Sequence, residues 1–317
     1  MNQQKHMPSS MQEENIRPTS VYWALFFGLL SFSVSPILVK LAAEGPGLAI
    51  ATWRTLIAAA VLAPFAWARS RGEILAFSRG DLVMIGTAGV LLGLHFVSWI
   101  ESLYLTSVAS ASTLVTTSPI FLAILGYLFL KERLSISVTV SIVLAVFGAA
   151  LLGLGDAGAS ATGDAPLFGN ALALTASLLF SIYLLFGRVV RRKTSWLAYV
   201  FPLYTVTAVT ILVTALVIGT PLAGYSAEFY LLCAAMALGP QILGHGSFNF
   251  AVRYFPAAML GLISLVEPVG ASIIAYFLLG ELPTRVSLTG LIIVLAAISF
   301  AIVSRNRKKV QPVVQTD

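Results

Sequence analysis

Long apolar runs, separated by short polar stretches, dominate the chain from residue 21 to residue 304. Each run has about the 20 mostly apolar residues that a helix needs to cross the hydrocarbon of a bilayer. The ten runs predicted as membrane-spanning helices are 21–42, 48–68, 82–104, 107–130, 135–155, 167–187, 196–219, 229–252, 257–280 and 286–304. The pattern therefore predicts an all-α integral membrane fold.

The polar stretches outside these runs are short and leave no room for a second, soluble domain. The predicted organisation is a cytoplasmic polar tail at 1–20, a first five-helix unit at 21–155, a second at 156–304 and a basic cytoplasmic tail at 305–317. The first run lacks the short apolar core and small-residue cleavage site of a signal peptide. We therefore predict that it is retained as a span.

The composition supports a lipid environment, because 58% of the residues are hydrophobic and 10% are charged, whereas soluble domains have about 25% charged residues. With the N-terminus in the cytoplasm, 16 Lys and Arg residues fall on the inner side and three, Lys40, Arg54 and Arg285, on the outer side. Positive residues accumulate in cytoplasmic loops. We therefore expect a multi-pass protein of the inner (plasma) membrane with both termini in the cytoplasm. The net charge of +6 is attributed to this topology and not to nucleic-acid binding.

The two halves of the chain are similar to each other. A shift of 149 residues places "TSPIFLAILGYLFLKERLS" (117–135) over "VEPVGASIIAYFLLGELPT" (266–284), with Pro119 over Pro268. Because each half has an odd number of spans, the second half enters the membrane inverted. Inverted repeats are a common architecture of secondary transporters, which bind their cargo near the bilayer midplane between the repeats.

A second alignment supports the duplication near the start of each half. A shift of 148 residues brings "SFS" (31–33) over "LFS" (179–181). The chemistry of the halves differs, because the counterpart of Glu267 at a shift of 149 is Ser118. The repeat therefore does not require a carboxylate at that position.

Three features occur together in this chain. They are the duplicated five-span unit, the pattern P-x12-E that ends the fourth and ninth spans at Glu132 and Glu281, and the stretch "ATWRTLIAAAVLAP" (51–64) with its arginine. In this combination the chain resembles the EamA-type family of the drug/metabolite transporter superfamily over about residues 20–305. The resemblance implies ten helices around a central cavity, peripheral fifth and tenth helices, alternating access, and export or exchange of small metabolites such as amino acids.

Polar side chains within the spans are few, and such groups usually face the bundle interior or a water-filled cavity. Gln241, His245 and Asn249 are spaced by four residues and share a helix face. Gln241 and Glu267 lie at similar depth, roughly 15 Å from the inner side by helix rise. The candidate residues of the substrate cavity are His95, Trp99, Tyr183, Gln241, His245, Asn249 and Glu267. Hydrogen bonding to neighbouring helices is the open alternative, and the histidines also suit a proton relay.

Two further groups of residues are predicted to have mechanical roles. Arg54 and Glu101 lie near the outer side at similar depth, and they are expected either to pair as an outer gate or to form a static charge cluster. Pro119 and Pro268 each remove a backbone hydrogen bond, which makes them candidate hinges. The repeat-related Glu132 and Glu281 are expected to fix helix-end contacts.

The sequence argues against an enzyme. The segment "GLGD" (153–156) matches the GxGD pattern of intramembrane aspartyl proteases, but the spans contain no second aspartate for the carboxylate pair that such chemistry needs. The ATP-binding pattern G-x-x-x-x-G-K-[ST] does not occur, so energy must come from a gradient or from exchange. Cys233 is the single cysteine, so no thiol-rich metal site is expected, and no metal or cofactor is predicted.

The sequence therefore predicts a secondary transporter that exports or exchanges small organic metabolites, with amino acids as the first candidates. Uptake of a metabolite or nucleobase-like solute stays open, as does a passive channel. The predicted partners are a small-molecule substrate and the lipid bilayer. A proton or a counter-solute stays open as the coupling partner. The sequence fixes neither the substrate, nor the direction of flux, nor the oligomeric state.

Overall fold

The computed structural model describes residues 18–106, 108–157, 165–279 and 284–310, and every regular element within these ranges is helical. The spans, named α1 to α10 in chain order, are Thr19–Leu41, Gly47–Leu75, Arg79–Leu105, Val108–Val115 with Ser118–Leu130, Ile136–Ala157, Pro166–Val190, Trp196–Ile218, Ala227–Ala251, Ala257–Ser264 with Val266–Leu279, and Arg285–Val310. Seven described helices are long and apolar enough to cross a membrane, and α4, α5 and α9 contain shorter apolar helices. The predicted all-α, ten-helix membrane fold is confirmed.

Parts of the predicted organisation lie outside the described residues. These parts are residues 1–17 of the polar tail, residues 311–317 of the basic tail, and Glu281, which was expected to fix a helix end.

The connections alternate between two faces of the helix bundle. We call the face at which α1 begins the tail face, and it carries the loops at 76–78, 131–135, 191–195 and 252–256. The opposite side is the far face. Serine side chains cap the helices that follow two of the tail-face loops and one far-face loop, namely Ser78 before α3, Ser195 before α7 and Ser226 before α8. Each serine accepts a hydrogen bond from a backbone N–H that would otherwise lack a partner.

The helices pack in repeat-related pairs. α1 packs against α8 and α9, and its counterpart α6 packs against α3 and α4. α2 packs against its own counterpart α7, and α4 packs against its counterpart α9. Exchanging the two halves therefore maps these contacts onto one another, as two inverted five-helix repeats require.

α5 and α10 pack against each other at the side of the bundle. Their contact is close because Gly148 has no side chain, and a Cβ there would lie 2.8 Å from the carbonyl oxygen of Gly290. Small residues of this kind let membrane helices approach closely. The peripheral position that the family resemblance implied for these two helices agrees with this packing.

α4 and α9 are both interrupted at repeat-related positions. α4 breaks at Thr116 and Thr117, and α9 breaks at Leu265. Pro119 and Pro268 follow in the first turn of the second helical piece, where the missing N–H of proline costs no helical hydrogen bond. The two prolines thus mark real interruptions, and their action as hinges stays a prediction.

α8 is not a regular α-helix. Its middle part, Ala237–His245, is a π-helix of nine residues with Pro240 inside it. Proline lacks an N–H and crowds the preceding turn, so it favours a local change of helix type. The sequence-based assumption of one regular helix face through Gln241, His245 and Asn249 is therefore wrong in detail, although all three side chains are buried.

The close approach of α3 to α7 gives a test of this packing. A Cβ on Gly89 would lie 2.7 Å from Val206 Cβ and 2.9 Å from the Leu203 carbonyl oxygen, whereas a Cβ on Gly86 would meet nothing within 4 Å. We expect Gly89→Ala to lower the unfolding free energy by about 1–3 kcal/mol, because the crossing is overpacked. Gly86→Ala, one turn away, is the control. Thermal unfolding in detergent checks the pair, and equal Tm values would contradict the packing.

Candidate functional site

A cavity of about 50 Å³ lies between seven of the ten spans. Among the residues that the structure describes, none from α5, α7 or α10 lines it. Its polar lining consists of Ser35, Arg54, His95, Ser118, His245, Ser264 and Glu267. Its apolar lining consists of Phe32, Phe96, Trp99, Val115, Phe180 and Pro240. Sites for small organic ligands usually measure about 300–1,000 Å³. The cavity is therefore smaller than such sites in this conformation.

Arg54 is held by an amide and an aromatic ring. Its Nε donates to Gln241 Oε1 at 3.1 Å, and its guanidinium carbon lies 4.2 Å from the centre of the Phe96 ring. The residue is 1% exposed, yet within the described parts of the chain it makes no ion pair. The cation–π contact and the single hydrogen bond replace only part of the hydration that the Arg54 guanidinium loses on burial.

The expected pairing of Arg54 with Glu101 does not occur in this structure. Glu101 turns to the far-face end of α2, where its Oε1 lies 2.8 Å from the point at which a side chain on Gly47 would begin. Helix-rise arithmetic places both residues at similar depth, but it does not determine the direction in which each side chain points. The two residues therefore do not form an outer gate in this conformation.

Glu267 lies where α9 is interrupted. It is in the first turn of Val266–Leu279, at the N-terminal end of that helix. Its carbonyl oxygen accepts a hydrogen bond from Ser33 Oγ at 3.2 Å, and its side chain lines the cavity. The repeat-related Ser118 lines the same cavity from the interruption of α4. Glu267 likewise makes no ion pair with any residue that the structure describes.

The two histidines are held by hydrogen bonds and by rings. His95 Nδ1 lies 2.8 Å from the carbonyl oxygen of Ala176, and because a carbonyl only accepts, this nitrogen carries a proton. His245 Nδ1 lies 3.2 Å from Tyr183 Oη. The rings of Phe32 and Phe96 meet His245 edge-on at 4.9 Å and 4.8 Å. This environment agrees with the packing role that the sequence left open, and proton transfer by either histidine stays a prediction.

The structure divides the predicted cavity residues into two groups. His95, Trp99, His245 and Glu267 line the cavity. Tyr183, Gln241 and Asn249 are buried but lie behind that lining. Gln241 supports Arg54 from behind, and its own carbonyl oxygen accepts a hydrogen bond from Tyr204 Oη at 2.7 Å.

Sequence reasoning missed most of the aromatic lining, although a signal for part of it was present. Phe32 and Phe180 occupy equivalent positions in the repeated "SFS" and "LFS" segments, and both line the cavity. Phe96 and His245 are likewise equivalent at a shift of 149 residues, and their rings are in contact. A search for positions that are equivalent in the two repeats and carry a ring in both would have identified these four residues.

Charged groups tie three helices together at the tail face. Glu132, just after α4, accepts a hydrogen bond from Arg188 Nε at 3.0 Å, and Arg192 Nη2 lies 3.8 Å from the same carboxylate. Arg188 Nη1 also donates to the carbonyl oxygens of Val252 and Arg253 at 2.6 Å and 2.9 Å. The ends of α4, α6 and α8 are thereby held together at the tail face.

A second arginine, Arg191, is buried beside these groups at the tail face. Its Nε donates to the carbonyl oxygen of Asn249 at 2.9 Å, and its Nη1 donates to that of Thr194. Burial lowers the pKa of Arg191 to about 10, so the side chain stays charged at neutral pH. The tail face therefore carries a fixed buried positive charge next to α8.

The fold and the cavity define a class of protein, namely a multi-pass helical membrane protein with an enclosed central site between two inverted repeats. The sequence profile of the EamA-like transporter family matches residues 19–154 and 167–303. The chain belongs to this family. It is a membrane transporter of two-repeat architecture.

Individual relatives agree with this assignment. An uncharacterized transporter YdfC of Bacillus subtilis (strain 168) is 27% identical over 205 residues, which cover 63% of this chain and 64% of that protein. An uncharacterized transporter of Clostridium kluyveri is 24% identical, with 71% of this chain and 74% of that protein covered. A solved crystal structure aligns with a TM-score of 0.77 at 16% identity over 92% of this chain, which supports the fold alone.

The two arginines at Glu132 give a matched test of the tail-face contacts. Arg188→Gln removes an ion pair of low exposure and two bonds to carbonyl oxygens, and we expect it to cost on the order of 2 kcal/mol of unfolding free energy. Arg192→Gln removes a contact of a half-exposed side chain, and we expect it to cost less than about 1 kcal/mol. Thermal unfolding compares them, and equal losses would mean that Arg188 does not tie the helices together.

Proposed function

We propose that the protein is a secondary transporter that exports or exchanges small zwitterionic metabolites, with amino acids as the first candidates. The observation that carries the proposal is a guanidinium and a carboxyl group that line one cavity. Arg54 and Glu267 both line the cavity, and neither makes an ion pair among the described residues. Unpaired buried charges are unfavourable, so a cargo that supplies both counter-charges would be bound strongly.

An amino acid has the matching chemistry. Its carboxylate fits the fork of donors on a guanidinium, and its ammonium group fits a carboxylate. The side chain of such a cargo would meet the rings of Phe32, Phe96 and Phe180, which form apolar walls. Aromatic walls accept many side-chain shapes, so this arrangement favours a class of amino acids over one single compound.

The proposed mechanism is alternating access. The cavity is smaller than sites for small organic ligands in this conformation, and the contacts of Arg188 with Glu132 and α8 hold the helix ends together at the tail face. The interruptions next to Pro119 and Pro268 are the proposed hinges, since helix continuity is already broken there in both repeats. Rocking of the repeats about the cavity would then expose Arg54 and Glu267 to one face at a time.

The proposed location is the inner (plasma) membrane with the tail face in the cytoplasm. The support is the excess of Lys and Arg at that face, 16 against three. The energy source would be a gradient or exchange, with a proton or a counter-solute as coupling partner.

A second candidate function is uptake of a planar, nucleobase-like solute. The observation that favours it is the number of rings around the cavity, which offer stacking surfaces to a flat heterocycle. This candidate does not use the guanidinium and the carboxyl group, and therefore it ranks second.

Proteoliposomes give the test of the amino-acid proposal. We expect uptake of some members of a panel of labelled amino acids, and no comparable uptake of nucleobases. Glu267→Gln should lower kcat/KM for the zwitterion by about tenfold or more, because it removes the charge that faces the ammonium group. For an analogue that lacks the ammonium group, the same variant should change kcat/KM by less than about twofold.

Arg54→Gln provides the complementary half of this test with an analogue that lacks the carboxylate, such as an amino-acid amide. Glu101→Gln is the control, since Glu101 does not line the cavity. Uptake of nucleobases without uptake of any amino acid would favour the second candidate. Equal losses for the zwitterion and for both analogues would show that neither charge recognises the cargo.

A further inference from the structure

Two buried polar side chains lie between α6, α7 and α8 near the tail-face ends of these helices. We call Tyr199 and Asn249 the tail-side polar cluster, and both are 0% exposed. Five buried side-chain polar atoms of the described residues lack a hydrogen-bond partner, and three of them belong to this cluster, namely Tyr199 Oη and Asn249 Oδ1 and Nδ2. Buried polar groups normally have a hydrogen-bond partner, so these three atoms call for an explanation.

Gly187 lets the two side chains of the cluster approach α6 closely. A Cβ on this residue would lie 3.0 Å from Tyr199 Oη and 3.6 Å from Asn249 Oδ1. Both polar atoms therefore border the same point in this conformation, and a group can bind there only after the helices separate. The Asn249 side chain also lies beside the Tyr183 and Tyr204 hydroxyls, but neither approach has the geometry of a hydrogen bond.

The charge beside the cluster selects the kind of group that it would bind. Arg191 donates to the backbone carbonyl oxygen of Asn249. Among the unpartnered atoms, Tyr199 Oη and Asn249 Nδ2 are donors, whereas Asn249 Oδ1 accepts. Two donors beside a guanidinium group favour an anionic oxygen acceptor, such as a carboxylate, and disfavour a cation.

The repeat relation gives the cluster a place in the transport cycle. A shift of 149 residues maps Arg54 of α2 onto Leu203 of α7, which lies about one turn from Tyr199 and next to Tyr204. In an inverted repeat, equivalent helices take the same place relative to opposite faces of the membrane. α7 therefore has, for a cavity open to the tail face, the place that α2 with Arg54 has for a cavity open to the far face.

We propose that the tail-side polar cluster is a second carboxylate-binding subsite, which the cargo occupies when the cavity opens to the tail face. The proposal rests on the proposed function in one respect, since the carboxylate is that of the transported metabolite. The cargo would exchange Arg54 for the donors of Tyr199 and Asn249 as it passes between the faces.

Thiol labelling tests the subsite without any knowledge of the cargo. The background is Cys233→Ala, which removes the native thiol, and Asn249→Cys introduces a thiol into the cluster. The probes are membrane-impermeant thiosulfonates with a sulfonate or a trimethylammonium group, applied to vesicles of both orientations. We expect labelling from the tail face alone. The sulfonate reagent should react at least about fivefold faster than the ammonium reagent, after normalisation to a free thiol.

A transport measurement tests the binding role of the cluster. Tyr199→Phe removes a hydroxyl that has no partner in this conformation, so we expect an unchanged or higher Tm. We expect KM from the tail face to rise about tenfold and KM from the far face to stay within about twofold. Ser141→Ala is the matched control, because Ser141 Oγ is also buried and unpartnered but lies on the peripheral α5.

The labelling and transport results can each support or overturn the proposed subsite. Absence of labelling at residue 249, or faster reaction of the ammonium reagent, would overturn the subsite whatever the protein transports. An unchanged tail-face KM in Tyr199→Phe would overturn the binding role of that hydroxyl. Preference for the sulfonate reagent together with no amino-acid transport would support the subsite and contradict the proposed cargo.

Discussion

A guanidinium buried in an apolar interior needs groups that replace its lost water, and the centre of this structure depends on how Arg54 obtains them. The amide of Gln241 and the ring of Phe96 serve this purpose. Gln241 lies in the π-helical part of α8, one residue after Pro240. The wider turn therefore determines where the Gln241 amide meets Arg54 and where the His245 ring lines the cavity. The charge in α2 and the irregular backbone of α8 are thus parts of one arrangement.

The same constraint explains where the other irregular segments lie. Backbone that leaves the α-helix is tolerated at membrane depth only where it is buried in protein or lines a cavity. The interruptions of α4 and α9 meet this condition, because Ser118 and Glu267 beside them line the central cavity. The break in α9 also places Glu267 in the first turn of a helix. The irregular backbone and a polar lining residue therefore occur together at both interruptions.

Apolar runs and the odd number of spans per half were sufficient to predict the ten helices and the inverted repeats. The repeated prolines indicated that α4 and α9 are disturbed, but not that each is interrupted just before its proline. The π-helix was not predicted, because a proline inside an apolar run indicates only that the helix is disturbed. The Arg54–Glu101 pairing was wrong for this conformation because depth along a helix does not give rotation about its axis. The same lack of rotational information placed Gln241 and Asn249 in the cavity, whereas they lie behind its lining.

The packing of the halves is nearly symmetric, and their chemistry is not. Glu267 corresponds to Ser118, and Arg54 corresponds to Leu203, although each pair occupies equivalent helices. In the proposed alternating-access cycle, a symmetric scaffold would give the two conformations similar free energies, since the contacts broken on one face would resemble those formed on the other. Asymmetric side chains would let each conformation bind the cargo differently. Only such differential binding lets a ligand shift the balance between two states. Among the described residues the buried positive groups are Arg54 in the first repeat and Arg191 in the second, so the two repeats carry their buried charge at different depths.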